Sequence, residues 1–288
     1  MEKARVVLEC GARLGEGALW DAREDCLWWV DITAGRVHRF DPRSGLNRTC
    51  EVGQMVGTVV VREAGGLLVA VEEGIATLDF DTGRMELVAR PESDKPTNRF
   101  NDGKCDPGGR FWAGTMSKQS ERAAGCLYCY DSSGQIRALV SGVTCSNGIA
   151  WSHDHRTMYY IDTPVREVWA FDYDLTTGGI AHRRTVVSVP PELGFPDGMT
   201  IDAEGKLWVA HWGGWAVHRW DPATGGRLDS IEVPVECVTS CAFGGPDLKT
   251  LYITTAGGDK ADPKQPAAGH LFAFEPGVAG VKSFRFAG

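Results

Sequence analysis

The sequence predicts an all-β fold, a six-bladed β-propeller of four-stranded antiparallel sheets. Three observations lead there. A unit of roughly 40 to 50 residues recurs along the chain. Each unit carries short runs of alternating or briefly continuous apolar residues, ended by turn residues. No stretch keeps a helical period over three turns. Sheets set radially close into a ring, which removes the exposed edges that short strands would otherwise leave open to other chains.

The first two strands of each unit define the repeat. Gly17-Ala-Leu-Trp-Asp21 leads to Leu27-Trp-Trp-Val-Asp31, Asn147-Gly-Ile-Ala-Trp151 to Met158-Tyr-Tyr-Ile-Asp162, and Asp197-Gly-Met-Thr-Ile201 to Leu207-Trp-Val-Ala-His211. Aligned on these strands, Glu16, Gly57, Asn101, Asn147, Asp197 and Ser240 fall in one column. Each lies five positions before a turn residue, namely Asp21, Arg62, Asp106, Ser152, Asp202 and Gly245. Successive column residues are 41, 44, 46, 50 and 43 positions apart by subtraction.

The later strands are clear in Val37-His-Arg-Phe-Asp41, Val168-Trp-Ala-Phe-Asp172, Val217-His-Arg-Trp-Asp221 and Leu271-Phe-Ala-Phe274. Asp41, Asp79 and Asp221 each precede a Ser-Gly or Thr-Gly pair whose glycine stands four residues on. Each should open an outer hairpin. The N-terminal strand Arg5-Val-Val-Leu-Glu9 is expected to complete the sheet begun near Ser240 and so close the ring.

At 288 residues the chain is long enough for one large β domain, and no linker interrupts the repeats, so residues 1–288 are expected to form one domain. A net charge of −8 gives nucleic acid no general attraction. No apolar run is long enough to span a bilayer. Met1-Glu-Lys-Ala-Arg5 lacks the apolar core of a secretory leader, so a cytoplasmic location is expected. Nine cysteines, an odd number, read mainly as reduced core thiols. Cys126 and Cys129 have zinc-site spacing, but on an extended strand residues three apart face opposite sides, which argues against zinc there.

The first strand of a propeller blade lines the central channel, so the column becomes a ring of side chains at one end of it. Asn-Gly and Asp-Gly pairs also make turns. Glu16-Gly17 does not fit that explanation, because Glu has no special turn preference. Glu16 and Asp197 would neutralise a divalent cation, and the Asn147 carbonyl adds a neutral hard ligand. Calcium, magnesium and manganese accept such oxygens, and zinc and iron also bind carboxylates. Three protein ligands leave coordination positions for water or substrate, as Lewis-acid catalysis requires. Asn101 is the column's fourth strong donor, and Arg99, two residues before it, faces the same side of an extended strand. Together they suit a polar substrate. No Gly-x-Ser-x-Gly elbow supports a serine hydrolase.

Further segments carry a family resemblance: Gly15-Glu-Gly17, Trp29-Val-Asp-Ile32, Asn98-Arg-Phe-Asn-Asp-Gly-Lys104, Ala113-Gly-Thr-Met116, Ser146-Asn-Gly148, Phe171-Asp-Tyr-Asp174, Pro196-Asp-Gly198, Asp202-Ala-Glu-Gly-Lys-Leu-Trp208 and Phe243-Gly-Gly245. In their order, nearly end to end, the chain resembles the senescence marker protein/gluconolactonase family, which includes regucalcin and bacterial sugar lactonases. Trp212-Gly-Gly-Trp215 is closer in character to the bacterial branch. The resemblance implies a six-bladed propeller, one divalent ion held by Glu16, Asn147 and Asp197, and substrate contacts from Arg99 and Asn101. It also implies hydrolysis of a sugar (aldono-) lactone to its aldonic acid. Asp197 is our own candidate for the proton acceptor as well as a ligand.

One position departs from the family pattern: Gln119 stands where animal members carry a Glu after the Gly-Thr-Met segment. His211 and Trp212 are candidates for the channel mouth, although tryptophans in propellers more often fill the space between sheets. Two alternatives stay open, a non-catalytic calcium-binding regulatory protein and a metal-dependent esterase or phosphotriesterase, because fold alone does not choose the chemistry. The expected partner is a small sugar lactone rather than nucleic acid or membrane. The sugar, the metal and the oligomeric state are not fixed by the sequence.

Overall fold

Short apolar runs separated by turn residues fold back on one another, and the chain forms four-stranded antiparallel sheets, six among the described residues. The computed structural model describes residues 3–259 and 262–288. Met1 and Glu2, which begin the segment read for a leader, lie outside them. Five blades are consecutive in the chain. The sixth combines Val238–Gly244, Thr250–Thr255 and Leu271–Phe274 with the N-terminal strand Arg5–Leu8. That strand pairs antiparallel with Leu271–Phe274, Arg5 opposite Ala273, and closes the ring as expected. Among the described residues the helical content is two single 3₁₀ turns, Thr163–Val165 and Pro191–Leu193, and no helix is long and apolar enough to cross a membrane.

Burial grades from the axis outward. The first strands Gly15–Asp21, Val56–Val61, Ser146–Trp151 and Val238–Gly244 are buried throughout, whereas the outer strand Leu46–Glu51 is largely exposed and Met85–Ala89 alternates half-buried and exposed residues. Trp29, Trp112 and Trp208, on the second strands of blades 1, 3 and 5, are at most 1% exposed and fill space between sheets.

Every first strand breaks regular pairing at its column position. The register shifts fall between Glu16 and Leu19, Val56 and Thr58, Phe100 and Gly103, Asn147 and Ile149, Pro196 and Met199, and Val238 and Ser240. A bulge leaves one residue out of the ladder and re-aims its side chain. The Glu-Gly, Asn-Gly and Asp-Gly pairs are therefore not hairpin turns; they sit within strands. Their glycines meet a demand for space. A Cβ on Gly148 would lie 2.7 Å from the Asp197 carbonyl oxygen, and one on Gly198 2.8 Å from the Ser240 Cα. A Cβ on Gly57 would lie 2.3 Å from the Asn101 carbonyl oxygen. Neighbouring first strands thus touch backbone to backbone.

The outer hairpins form as expected. Gly45, Gly83 and Gly225 donate their N–H groups to the carbonyls of Asp41, Asp79 and Asp221 at 2.9, 2.9 and 2.7 Å. Asp174 and Gly178 make a fourth turn of this kind, at 2.7 Å. At the opposite end of the channel from the column, the turn residues are also fixed. Asp202, fully buried, accepts bonds from the N–H groups of Glu204 and Lys206, the Trp208 indole and Arg219. The C-terminal tail runs across this end, with the Phe286 N–H on the Val61 carbonyl and the Ala287 N–H on the Gly109 carbonyl, both at 2.9 Å. Arg285 pairs with Asp21, and Phe286 stacks on Tyr130.

The close approach at the axis yields a prediction. Gly148→Ala forces its methyl against the Asp197 carbonyl and should destabilise the fold by about 1–3 kcal/mol, the usual cost of overpacking. Thermal denaturation of the variant with an unchanged Tm would contradict this account of the glycine.

Candidate active site

The bulges turn their side chains toward one end of the channel, where a cavity of about 490 Å³ opens. Glu16, Arg99, Asn101, Asn147 and Asp197 all line it. Leu14, Met116, Phe195 and Trp212 give it an apolar rim. A larger hollow of about 820 Å³ lies beside the outer strands of blades 1 and 2. It is bordered by the surface ion pairs Arg39–Glu24 and Arg48–Asp81 and holds no column residue, so the chemistry points to the smaller cavity.

Glu16 and Asp197 come from blades 1 and 5 yet lie within hydrogen-bonding reach of each other, at 4% and 5% exposure. Burial pushes both carboxyl groups well above the usual carboxylate range. The negative charge of Asp102 adds to the effect on Glu16, and that of Glu16 to the effect on Asp197. The Gly17 N–H donates to Glu16 at 2.9 Å, and the Arg99 guanidinium offsets part of the repulsion. Arg99 is itself 8% exposed, and burial lowers its pKa from the ordinary arginine value.

Amide groups complete the floor. The Arg99 Nη1 donates to the Asn101 Oδ1 at 2.7 Å. The Asn101 Nδ2 donates to the Ser146 carbonyl at 2.8 Å and to the Asn147 Oδ1 at 3.1 Å. The Asn147 Nδ2 donates to the Thr163 Oγ1 at 2.8 Å, and the Thr163 hydroxyl donates to the Pro196 carbonyl at 2.9 Å. A carbonyl oxygen has two acceptor positions, so the Asn147 Oδ1 keeps one beyond its bond from Asn101.

Two carboxylates and an amide oxygen fit a hard divalent cation. Among the described residues no three His, Cys, Asp or Glu side chains gather as a metal cluster, so the third donor to a cation here would be an amide. The Cys145 thiol lines the same cavity, but burial and the nearby Asp197 push it up to about 12, so it stays protonated at neutral pH.

Two residues here escape a reading by column. Asp102 is 4% exposed, accepts the Gly103 N–H at 2.7 Å through Oδ1 and leaves Oδ2 without a partner. Its signal was its place after Asn101 in a glycine-containing run, where a bulge disturbs the in-and-out alternation. Thr163 belongs to a connection between strands and had no signal in the repeat.

One position is corrected. His211 is not at the mouth: it is fully buried, with Nδ1 2.8 Å from the Leu193 carbonyl and its ring against His218 and Trp220. Strand alternation sends its neighbour Trp212 the other way, to the rim, where it is 38% exposed. Gln119 is exposed and does not line the cavity, whereas Ser120 and Arg122 of the same loop do. Cys126 and Cys129 face different core clusters, one with Phe100 and Tyr128 and the other with Trp112 and Tyr160, which agrees with their reading as core thiols.

Comparison with known proteins matches residues 14–257 to the family described as SMP-30/Gluconolactonase/LRE-like region. Regucalcin of Xenopus laevis is 41% identical, over 96% of this chain and 95% of its own. A protein of Bacillus subtilis (strain 168) with the provisional name of sugar lactone lactonase YvrE is 39% identical, over 98% of both chains. A solved structure from Agrobacterium tumefaciens, described as a calcium-binding protein, regucalcin, superposes with a TM-score of 0.93 at 31% identity, covering 99% of this chain and 97% of that one.

The acid pair predicts a pH dependence for the cation-free protein. Both groups hold protons more tightly folded than unfolded, so the folded state binds more protons above the ordinary carboxylate range. Stability is then greatest at and below that range and falls as pH rises above it toward the raised values. In chelator, Tm between about pH 5 and 8 should fall more steeply for the wild type than for Glu16→Gln. Parallel curves would show that the pair does not carry this burden.

Proposed function

We propose, on the premise that the chain belongs to the SMP-30/gluconolactonase/LRE-like family, that residues 1–288 act as one propeller domain. Its proposed activity is divalent-cation-dependent hydrolysis of a sugar (aldono-) lactone to the aldonic acid. The observation that carries this is the meeting of Glu16, Asn147 and Asp197 with Arg99 and Asn101 in one cavity. The family and the lactonase name of the Bacillus subtilis relative support the reaction class.

Glu16, Asn147 and Asp197 would hold the cation; calcium, magnesium, manganese, zinc and ferrous iron are candidates. Such an ion supplies Lewis-acid polarisation of a carbonyl and acidifies water. Arg99 commits Nη1 to the Phe100 carbonyl and Asn101, which leaves other N–H groups for a ring hydroxyl or the lactone carbonyl. Phe195 and Trp212 offer apolar faces to the CH groups of a sugar ring. Asp197 takes a proton from the attacking water as the water oxygen bonds to the carbonyl carbon. The ring C–O bond then breaks, and the proton ends on the released hydroxyl. Burial beside Glu16 strengthens Asp197 as a base, while cation ligation weakens it, so ligation is the firmer of its two roles.

A second proposal is favoured by the regucalcin relatives and the calcium-binding description of the Agrobacterium structure: the same oxygens could serve calcium binding without turnover. One experiment separates the two. Chelator-treated protein should lose hydrolysis of a panel of aldonolactones and regain it with a divalent ion; activity untouched by chelation contradicts cation dependence. Saturable calcium binding with no turnover of any lactone favours the second reading.

Substitution tests the role of Asp197. Asp197→Asn retains an oxygen but not a base, and kcat should fall roughly 10²–10⁴-fold, the range for loss of general base catalysis. A wild-type rate in a folded Asp197→Asn variant would remove that role.

A further inference from the structure

A chain of hydrogen bonds crosses three blades at the cavity floor, from Arg99 through Asn101, Asn147 and Thr163 to the Pro196 carbonyl. Its two ends leave the direction no freedom. An arginine side chain can only donate, and a backbone carbonyl can only accept. Arg99 therefore fixes the oxygen of Asn101 toward itself, and the Asn101 NH₂ points at Asn147. From the other end, the Thr163 hydroxyl spends its single proton on Pro196 and can only accept from Asn147. The Asn147 carboxamide is thus held with its NH₂ toward Thr163 and its oxygen toward Asn101 and the cavity.

We infer that Thr163 is a positioning residue that keeps the oxygen of the Asn147 carboxamide, rather than its NH₂, facing the site of Glu16 and Asp197. A flipped Asn147 would set NH₂ against the NH₂ of Asn101 and present hydrogens where a cation needs a lone pair. The other nearby acceptor is weak: the Cys145 Sγ lies 3.7 Å from the Asn147 Nδ2. Thr163 is itself pinned, since its N–H donates to the Cys145 carbonyl at 3.1 Å and it opens the 3₁₀ turn Thr163–Val165. This inference rests on the proposed cation-holding role of Asn147. It adds a residue of the cavity lining that acts on the ion through Asn147.

The test is calorimetric titration of chelator-stripped protein with Mn²⁺ and with Ca²⁺ alone, for wild type, Thr163→Val, Thr163→Ser, Asn147→Asp and the double variant Asn147→Asp/Thr163→Val. Thr163→Val keeps the shape and loses the hydroxyl; it should weaken binding roughly 10- to 100-fold, as loss of a partner that orients a ligand does. Thr163→Ser should stay within about threefold of wild type by the same measure. In the Asn147→Asp background, where either side-chain oxygen can face the ion, Thr163→Val should cost almost nothing. Wild-type affinity in Thr163→Val, an equal loss in Thr163→Ser, or an undiminished loss in the Asn147→Asp background would each overturn the inference. Should Thr163→Val fail to fold, the wild type still decides: NMR contacts between the Asn147 NH₂ protons and the Thr163 methyl are expected, and their absence overturns it. A wild type that binds neither ion overturns both this inference and the cation-holding role, whereas binding by the wild type with unchanged Thr163→Val removes this inference alone.

Discussion

Backbone contact between neighbouring first strands at the axis is the constraint on which the rest depends. Side chains have no room where Gly57, Gly148 and Gly198 pass the next blade, and these glycines let successive sheets come together. The register shifts beside them take Gly57 and Asp197 out of their ladders and break the pairing directly after Asn147. Packing and chemistry thus share a cause: the same local break that closes the ring brings residues from separate blades into one group. A site assembled in this way inherits the rigidity of the whole ring, which is what precise ligand placement needs.

The site also stores an electrostatic cost. Two carboxyl groups are buried within reach of each other, with Asp102 adding a third negative group nearby. In an ordinary core such a set would be selected against, because burial disfavours each charge and proximity disfavours them together. Arg99 and the Gly17 N–H answer only part of this. Instability concentrated where a ligand would relieve it is the pattern of functional sites.

Much of this architecture is legible in the sequence because the repeat has to present its first strand to the axis six times, and any alignment of those strands also aligns what they carry. Other features are hidden for physical reasons. Glycine serves positive φ and close contact alike: Gly17 has φ +60°, but Gly148 and Gly198 are needed for space, so the dipeptides read as turns when they are bulges. Asp102 follows a residue that already faces the channel, and strict alternation would send it away. Thr163 comes from a connection that has no counterpart in the column. His211 and Trp212 are adjacent, and only the real end of the strand decides which of them meets the cavity. Cys126 and Cys129, by contrast, lie in mid-strand, where alternation predicted their opposed faces correctly.

The C-terminal tail bonds to the Val61 and Gly109 carbonyls and spans the far end of the channel, while Lys104 reaches across the axis from blade 3 to the Met199 carbonyl of blade 5. Both cross the bore on the far side of the cavity. On the proposed function, a lactone entering past Trp212 and Phe195 would meet these crossings beyond the cavity, and its product would leave by the side it came from.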